Sequence, residues 1–163
     1  MQIETESLYI RSFNEGDVDD YHRIVSDARV MRFLGDGSTH DRNTATRYVL
    51  DCIDSENSGG LARYAVVWKE TDKLIGFSGY KYLSGVVDFG YRLAFQFWGK
   101  GLATEAGRQV LDYGCNELHL TKITAHALVQ NLASIAVLRK LGFEDWGRPP
   151  TVDPRLQWFR LGR

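Results

Sequence analysis

Two glycines one residue apart, Gly99 and Gly101, stand between a strand-like stretch and the longest helical pattern of the chain. Glycine takes up backbone conformations closed to other residues and lets a ligand approach the main chain. The amides of residues 98–103 would then point into one concavity at the start of a helix, where unpaired N–H groups and the helix dipole favour phosphate. Lys100 adds a positive charge. The spacing indicates either an anion site or a tight strand-to-helix connection.

Two familiar phosphate motifs do not fit this stretch. A Walker loop needs a glycine, four residues and then Gly-Lys-Ser/Thr, and no such string occurs in the sequence. A Rossmann fingerprint needs a third glycine, where this chain has Thr104, and an acidic residue about 20 positions further on. We therefore expect a phosphate ligand of another kind.

A candidate site carboxylate lies in the strand pattern just before the glycines. Residues 86–93 alternate in character, which places Asp88, Gly90 and Arg92 on one face of a strand. Asp88 either faces a site or is an ordinary surface carboxylate. A histidine in a later strand pattern, His126, is expected to be a packed or hydrogen-bonded residue rather than a catalyst.

Hydrophobic periodicity defines the elements of the first third of the chain. A strand is predicted over residues 7–13, and Asn14 with Asp17 resembles the capping box of a helix that follows it. A second helix is centred on residues 45–53. Residues 31–43, between the two helices, are rich in Gly, Asp, Ser and Thr. They form either a solvated connector or a substrate lid.

The remaining elements alternate between strands and helices. Three aromatic, β-branched runs at residues 62–69, 74–83 and 86–93 predict an antiparallel meander. A helix over about residues 101–117 then leads to a strand at 122–128, which implies a crossover to a parallel neighbour. The chain is expected to end with a helix from Asn131, strands at 143–146 and 157–161, and a stiff proline loop at 149–154 between those strands.

The composition predicts a single globular domain over residues 1–163. With 163 residues, 44% of them hydrophobic and 25% charged, the chain suits one domain with a substantial core. A formal net charge of −1 and a pI of about 6.4 leave no general electrostatic footprint for nucleic acid, and no basic run indicates a membrane surface. We expect neither nucleic acid nor membrane as a partner.

The cysteines and the N-terminal residues predict a cytoplasmic protein. The two cysteines, Cys52 and Cys115, fall inside helical patterns. This position favours reduced structural thiols over a disulfide framework. The first residues are polar and acidic, and the sequence contains no apolar run of about 18 residues. Neither a signal peptide nor a membrane span is therefore expected.

Three motifs in this order resemble the GNAT acetyltransferase superfamily. They are Gln96-x-x-Gly99-x-Gly101, the string WGKGLATEA over residues 98–106, and Asn131-x-x-Ser134 leading into LRKLGF over residues 138–143. The opening residues 4–11 also resemble the Rim-type branch, which includes ribosomal-protein N-terminal acetyltransferases. The resemblance implies an α/β (α+β) GNAT fold. That fold has a mixed, mostly antiparallel sheet of about seven strands, splayed at the fourth and fifth strands, with about four helices.

The resemblance also implies a binding site for acetyl-CoA as cosubstrate, without a metal. The pantetheine would lie between the splayed strands, pairing with backbone near Tyr91 and Leu93, with Asn131 and Ser134 beside it. Arg139 or Lys140 are weaker candidates for phosphate contacts. The pyrophosphate would lie on the glycine loop, formed by Gln96, Trp98, Gly99, Lys100, Gly101, Leu102 and Ala103.

The same resemblance assigns catalytic roles. The backbone N–H of Leu93 would polarise the thioester carbonyl as an oxyanion-hole donor. Asp88 stands where Rim-type relatives often carry a glutamate and would take the amine proton, most simply through a water because Asp is one methylene shorter. In many GNAT enzymes a tyrosine acts as the general acid at the position of Leu138. A leucine side chain cannot donate a proton. Ser134 is the remaining acid candidate, or else a helix-start hydroxyl that bonds locally.

These features predict an acetyl-CoA-dependent N-acetyltransferase. It would acetylate a primary amine, either a protein N-terminus or a small-molecule amine, by direct attack in a ternary complex. We expect a monomer or a homodimer. One alternative is a non-catalytic acyl-CoA-binding or sensor module. Another is a peptide-binding domain, suggested by Phe95, Phe97 and Trp98, although these aromatic residues suit the wall of a cofactor cleft better.

Overall fold

The computed structural model describes residues 1–147, 150 and 153–162. These residues form one mixed sheet with helices against both of its faces. The strands are β1 (Gln2–Glu4), β2 (Leu8–Arg11), β3 (Arg63–Trp68), β4 (Lys73–Leu83), β5 (Val86–Leu93), β6 (Ile123–Leu128), β7 (Phe143–Asp145) and β8 (Leu156–Leu161). The helices are α1 (Val18–Val25), α2 (Ala28–Met31), α3 (Arg42–Asn57), α4 (Leu102–Asn116) and α5 (Leu132–Lys140).

The sheet confirms the predicted topology. Its strands lie in the order β1-β2-β3-β4-β5-β6-β8-β7, and each pairing is antiparallel except the one between β5 and β6. The meander of β3, β4 and β5 is present, and its second turn consists of Ser84 and Gly85. Both turn residues have positive φ, 50° and 81°, as tight two-residue hairpins require. Helix α4 is the predicted crossover between the parallel strands.

The structure has one strand and one helix more than the sequence predicted. Strand β1 pairs with β2 as an edge hairpin, and its three residues are too few to show an alternating pattern. Helix α2 has four residues and is separated from α1 by Ser26 and Asp27. The Asp27 carboxylate caps α2 by accepting from the amide of Arg29 at 2.9 Å. The predicted fold class is unchanged by these additions.

The central feature of the sheet is the short parallel contact between β5 and β6. The two strands pair only where Val87, Asp88 and Phe89 face Ile123, Thr124 and Ala125. Beyond this point β5 continues alongside β4 as far as Leu93, whereas β6 continues alongside β8 as far as Leu128. The strands therefore part into a gap, which confirms the predicted splay.

Two hydrophobic cores hold the sheet, one on each face. Helices α4 and α5 pack over Tyr80, Phe89 and Phe159. Helices α1 and α3 pack over Phe77 on the opposite face. Asp88 and Arg92 pair across the ladder with Lys81 and Phe77, so their side chains lie on the face of α1 and α3. The gap between β5 and β6 connects the two faces of the sheet.

Two further sequence expectations concern the proline loop and the absence of a membrane span. The proline loop predicted at 149–154 includes Pro149, Thr151 and Val152, which lie outside the described residues. Among the helices that the structure describes, none is long and apolar enough to cross a membrane.

Helix α4 is fixed to the sheet by a buried hydrogen bond. The hydroxyl of Tyr80 donates to the carbonyl oxygen of Val110 at 2.8 Å. This close approach depends on Gly114, since a Cβ atom there would overlap the Tyr80 ring and hydroxyl. Because α4 begins at the glycine loop, this contact also helps to fix the position of that loop.

We predict that Gly114→Ala destabilises the protein. Alanine in a helix is usually more stable than glycine by about 1 kcal/mol. Here the added methyl overpacks a core position, so we expect the free energy of unfolding to fall by about 1–3 kcal/mol. Chemical denaturation measures the change. Gln109→Ala, on the exposed face of the same helix, is the control, expected within about 0.5 kcal/mol of wild type. Equal stability of the two variants would contradict the prediction.

Candidate functional site

The gap between β5 and β6 opens into a cleft of about 610 Å³. It is lined by β5, β6, the glycine loop, the starts of α4 and α5, and the segment after α2. That segment, part of the predicted connector or lid, contributes Phe33, Leu34 and Gly35. The cleft brings together most of the site residues predicted from the sequence: Asp88, Tyr91, Leu93, Trp98, Gly99, Gly101, Leu102, Ala103, Asn131 and Ser134.

Two predicted site residues, Gln96 and Lys100, are not among the residues that line this cleft. Residues 95–97 form a 3₁₀ turn, and the exposed Gln96 lines a separate depression beside α1. The Lys100 ammonium lies over the Phe97 ring, 5.6 Å from its centroid. Of the weaker phosphate candidates, Lys140 lines the cleft. The Arg139 guanidinium lies 3.6 Å from the carboxylate of Asp145.

The glycine loop has the backbone geometry expected of an anion site. Gly99 and Gly101 have φ of 73° and 81°, a region that other residues rarely adopt. Gly101 is the N-cap of α4 and has no side chain with which to cap it. The amides of Leu102 and Ala103 are thus free to bind an anion at the positive end of a helix. A Cβ atom at either glycine would meet nothing within 4 Å, so the space beside the loop is open.

The edge of β5 presents backbone hydrogen-bonding groups to the gap. The amide of Ala94 donates to the carbonyl of Ile75 at 2.8 Å, and every second residue of β5 pairs with β4 in the same way. The main-chain groups of the intervening residues, Tyr91 and Leu93, therefore face the gap. The Leu93 carbonyl accepts from the indole N–H of Trp98 at 2.8 Å. The Leu93 amide is left facing the cleft, as its predicted role requires.

A carboxylate and an imidazole meet where β5 and β6 part. Asp88 is 1% exposed, and its Oδ1 lies 2.9 Å from Nδ1 of His126. The His126 side chain is 27% exposed, lines the cleft and packs against the Trp158 ring at 4.8 Å. His126 is packed, as expected, but sequence reasoning missed that it shares a site with Asp88. The predicted crossover made the strands neighbours, but only the register, with Asp88 opposite Thr124, brings these side chains together.

A second pair of polar side chains lies on the other side of the gap. The Tyr91 hydroxyl donates to Oγ of Ser134 at 3.2 Å. Burial raises the pKa of Tyr91 to about 12. Ser134 is not the cap of α5, because Asn131 fills that position and accepts from the Ser134 amide at 3.2 Å. Leu138, which stands where the family resemblance leads us to expect a tyrosine, is buried. Tyr91 therefore supplies a phenol that the sequence analysis considered only for its backbone.

Comparison with known proteins shows the family. A model described as the acetyltransferase (GNAT) domain matches residues 7–144. The chain belongs to the GNAT acetyltransferase family. An uncharacterized N-acetyltransferase, p20 of Bacillus licheniformis, is 32% identical over 148 residues, which cover 89% of this chain and 83% of that relative. The protein is therefore an acetyl-CoA-dependent acetyltransferase.

Two further relatives carry more specific names. The spermidine N(1)-acetyltransferase of Escherichia coli K12 is 26% identical over 155 residues, covering 86% of this chain and 75% of that protein. A solved structure of RimL, the ribosomal L7/L12 alpha-N-protein acetyltransferase, in complex with coenzyme A has a TM-score of 0.84. It is 16% identical, with 98% of this chain and 97% of that chain covered. At this identity the likeness shows the fold alone, so the Rim-type branch stays a prediction.

The cleft of this GNAT enzyme fits coenzyme A. The uncapped start of α4 suits the pyrophosphate. The main-chain groups of Tyr91 and the amide of Leu93, which face the gap, suit the amides of pantetheine, which can pair with an open strand edge as a peptide does. Among residues 1–147, 150 and 153–162, no group of three or more His, Cys, Asp and Glu side chains is placed to hold a metal ion.

We predict that Gly101→Val weakens binding of coenzyme A at least about a hundredfold, or by about 2.7 kcal/mol. Valine cannot adopt a φ of 81° without strain, and its side chain would enter the open space beside the free amides. Isothermal titration calorimetry measures the affinity, and the thermal midpoint shows whether the variant is folded.

Gly85→Val is the matched control for backbone strain. Gly85 has the same φ of 81°, and a Cβ there also meets nothing within 4 Å. It lies in the β4–β5 turn and does not line the cleft. This control should lose stability but keep its affinity. Unchanged affinity in a folded Gly101→Val protein would contradict the assignment of the loop.

Proposed function

We propose that this enzyme moves the acetyl group of acetyl-CoA to a primary amine by direct attack within a ternary complex. The observation that carries the proposal is that one cleft connects the two faces of the sheet where β5 and β6 part. The glycine loop and α4 lie on one face, and the Asp88–His126 pair lies on the other. A thioester and an amine can therefore enter from opposite faces and meet without a covalent enzyme intermediate.

The Asp88–His126 pair would take the proton of the attacking amine. An alkylamine with a pKa near 10 is almost wholly protonated at neutral pH, so a base is needed to populate the nucleophile. The buried Asp88 carboxylate accepts from His126 Nδ1, which leaves Nε2 as the ring nitrogen free to accept a proton. His126 would contact the amine directly or through a water, and Asp88 would orient the ring and stabilise its charged form.

The reaction also needs stabilisation of the carbonyl oxygen and of the departing sulfur. As the new C–N bond forms, negative charge develops on the thioester oxygen, and the Leu93 amide would donate to it. The C–S bond then breaks, and the Ser134 hydroxyl would donate a hydrogen bond to the departing thiolate, which takes its proton from solvent. Because Tyr91 donates to the Ser134 oxygen, the hydrogen of Ser134 is left free to point into the cleft. A thiolate with a pKa of about 8.5 leaves with little help, so this hydrogen bond is auxiliary.

The acceptor class is a proposal with two branches. The predicted Rim-type resemblance favours a protein N-terminus, and the likeness to a spermidine N(1)-acetyltransferase favours a small-molecule amine. Phe33 and Leu34 line the α1 and α3 side of the cleft together with Asp88. We propose that they contact the acceptor, which gives part of the segment at 31–43 a substrate-binding role.

We predict that Asp88→Asn and His126→Gln each lower kcat/KM about a hundredfold at neutral pH. Activity should recover partly as the pH rises, because the free amine becomes abundant without the base. Ser134→Ala should lose about tenfold. The measurement is a pH–rate profile of the three variants with a single acceptor amine that the wild-type enzyme acetylates.

The pH profile distinguishes a catalytic role from a structural one. A variant that is merely misfolded would lose activity equally at all pH values, without alkaline recovery. Full activity of Asp88→Asn across the range would show that the pair is not the base. Full activity of His126→Gln beside an impaired Asp88→Asn would show that Asp88 takes the proton without His126.

We predict that the double variant Cys52→Ala/Cys115→Ala keeps its turnover number within about twofold, because each thiol lies outside the cleft. Cys52 is buried in α3, and burial raises the pKa of its thiol to about 11, so a thiolate nucleophile is disfavoured. Initial velocities with acetyl-CoA and an amine should give intersecting lines, as a ternary complex requires. The acetylated amine is identified by mass spectrometry.

Three outcomes would contradict the proposal. Parallel initial-velocity lines, or an acetyl group trapped on either cysteine, would show a covalent route. Failure to acetylate any member of a panel of small amines and peptide N-termini, with coenzyme A still bound, would refute transfer to an amine.

A further inference from the structure

The acceptor side of the cleft carries an unusual excess of positive charge. Three basic residues from three adjacent strands line it on the face of α1 and α3, namely Arg63, Lys81 and Arg92. The carboxylate nearest to them in sequence and pairing is Asp88, whereas the other carboxylate that lines the cleft, Asp153, is paired with Arg155. Among the residues that the structure describes, no carboxylate lies within salt-bridge distance of these three cations.

Arg63 reaches the cleft across two strands. It pairs with Gly79 of β4, which pairs in turn with Gly90 of β5. The absence of a side chain at Gly90 leaves room for the guanidinium, since a Cβ there would lie 3.1 Å from Nη2 of Arg63. The Arg63 guanidinium also stacks on the Phe77 ring, 4.6 Å from its centroid. Its position is therefore fixed by packing rather than by an ion pair.

Arg92 is held in a similar way. Its Nη1 donates to the Tyr21 hydroxyl at 2.9 Å, and Nη1 of Arg63 donates to the Tyr48 hydroxyl at 2.9 Å. Burial raises the pKa of both tyrosines, so these partners are neutral phenols. The Nε atoms of both arginines are buried without a hydrogen-bond partner among the described residues. The two guanidinium groups keep donors and an uncompensated charge for a ligand.

Lys81 shows the effect of placing these positive charges close together. It lies directly opposite Asp88 in the β4–β5 ladder. Burial, and then the charge of Arg63, lower the pKa of Lys81, while Asp88 acts in the opposite direction. Uncompensated charges of one sign in a partly buried site are costly, and an anion among them removes much of that cost. A cation in the same place would add to the repulsion.

We propose that the acceptor is an amine that also carries a carboxylate, and that Arg63, Lys81 and Arg92 bind this carboxylate. The inference rests on the proposed function, because it assumes that Asp88 and His126 mark the position of the amine. Arginine is suited to the role because its planar donors match a carboxylate bidentately. Polyamines, which the E. coli relative's name suggests, are disfavoured by the same charges.

The strand geometry sets the separation of the two groups. Gly90, beneath the Arg63 guanidinium, is two residues from Asp88, or about 7 Å along the strand. At about 1.2 Å per bond in an extended chain, this distance corresponds to roughly six bonds between the amine nitrogen and a carboxylate oxygen. Such spacing occurs in ω-amino acids such as 5-aminopentanoate. Where an acidic side chain follows the N-terminal residue of a peptide, the count is seven bonds for Asp and eight for Glu, and a bent side chain can span the same distance.

The test compares three amines of one length that differ only in their far end. They are 5-aminopentanoate, pentylamine and 1,5-diaminopentane, with an anionic, a neutral and a cationic terminus. We expect kcat/KM for 5-aminopentanoate to exceed that for pentylamine at least tenfold, and the diamine to be the poorest substrate. A pair of peptides with Glu or Gln after the N-terminal residue distinguishes a peptide acceptor from a small one. A higher kcat/KM for the Glu peptide than for both the Gln peptide and 5-aminopentanoate would indicate a peptide acceptor.

Variants connect the preference to the named residues. Arg63→Gln and Lys81→Met should each lower the ratio of kcat/KM for 5-aminopentanoate over pentylamine about tenfold. Because Arg63 is packed and its variant could unfold, the more exposed Lys81 provides the second, milder test. Arg92→Lys keeps the charge and should lower the ratio less than Arg92→Gln. Lys140→Met, at the α5 side of the same cleft, is the control and should leave the ratio unchanged.

The outcomes separate this inference from the proposed function. Turnover of pentylamine tests acetyl transfer whatever the far end carries. If pentylamine and the diamine are acetylated as well as 5-aminopentanoate and the Glu peptide, the function stands and the carboxylate proposal is wrong. A ratio that does not change in Lys81→Met, Arg63→Gln and Arg92→Gln would also overturn it.

Discussion

The short parallel pairing of β5 with β6 is the constraint on which the rest of the structure depends. Three residue pairs hold the strands together before they part. Backbone groups that lose a ladder partner must find another partner or be exposed to water. The sheet tolerates the parting because β4 and β8 hold the outer sides of the two strands. The inner side is left as an open strand edge, and this edge makes the cleft.

Much of the fold, and one half of the site, could be predicted from the sequence. The meander, the crossover helix and the glycine loop follow from local patterns, namely alternation, helical periodicity and two closely spaced glycines. Gly99 and Gly101 do adopt the positive φ that only their residue type favours. This half of the site is encoded locally because a helix N-terminus needs only its own first residues to bind an anion.

The side-chain contacts of the other half could not be predicted, because they depend on register and on side-chain direction across strands. Asp88 and His126 are 38 residues apart, and a one-residue slip between β5 and β6 would turn them to opposite faces. Tyr91 meets Ser134 only because β5 and α5 approach across the gap. A motif identifies Gln96 but not the direction that a 3₁₀ turn gives to its side chain, which lines a depression outside the cleft.

The charges of the cleft favour one orientation of the molecules that enter it. Positive potential lies at both ends, from the start of α4 on one face and from Arg63, Lys81 and Arg92 on the other. The buried Asp88 lies between them, whereas the other carboxylate that lines the cleft, Asp153, is paired with Arg155. The proposed acceptor, with an ammonium and a carboxylate, would therefore be oriented before it reacts, with its amine at the Asp88–His126 pair and its carboxylate at the arginines. Such orientation converts part of the binding energy into positioning of the nucleophile, which is a main source of rate in a direct transfer between two bound substrates.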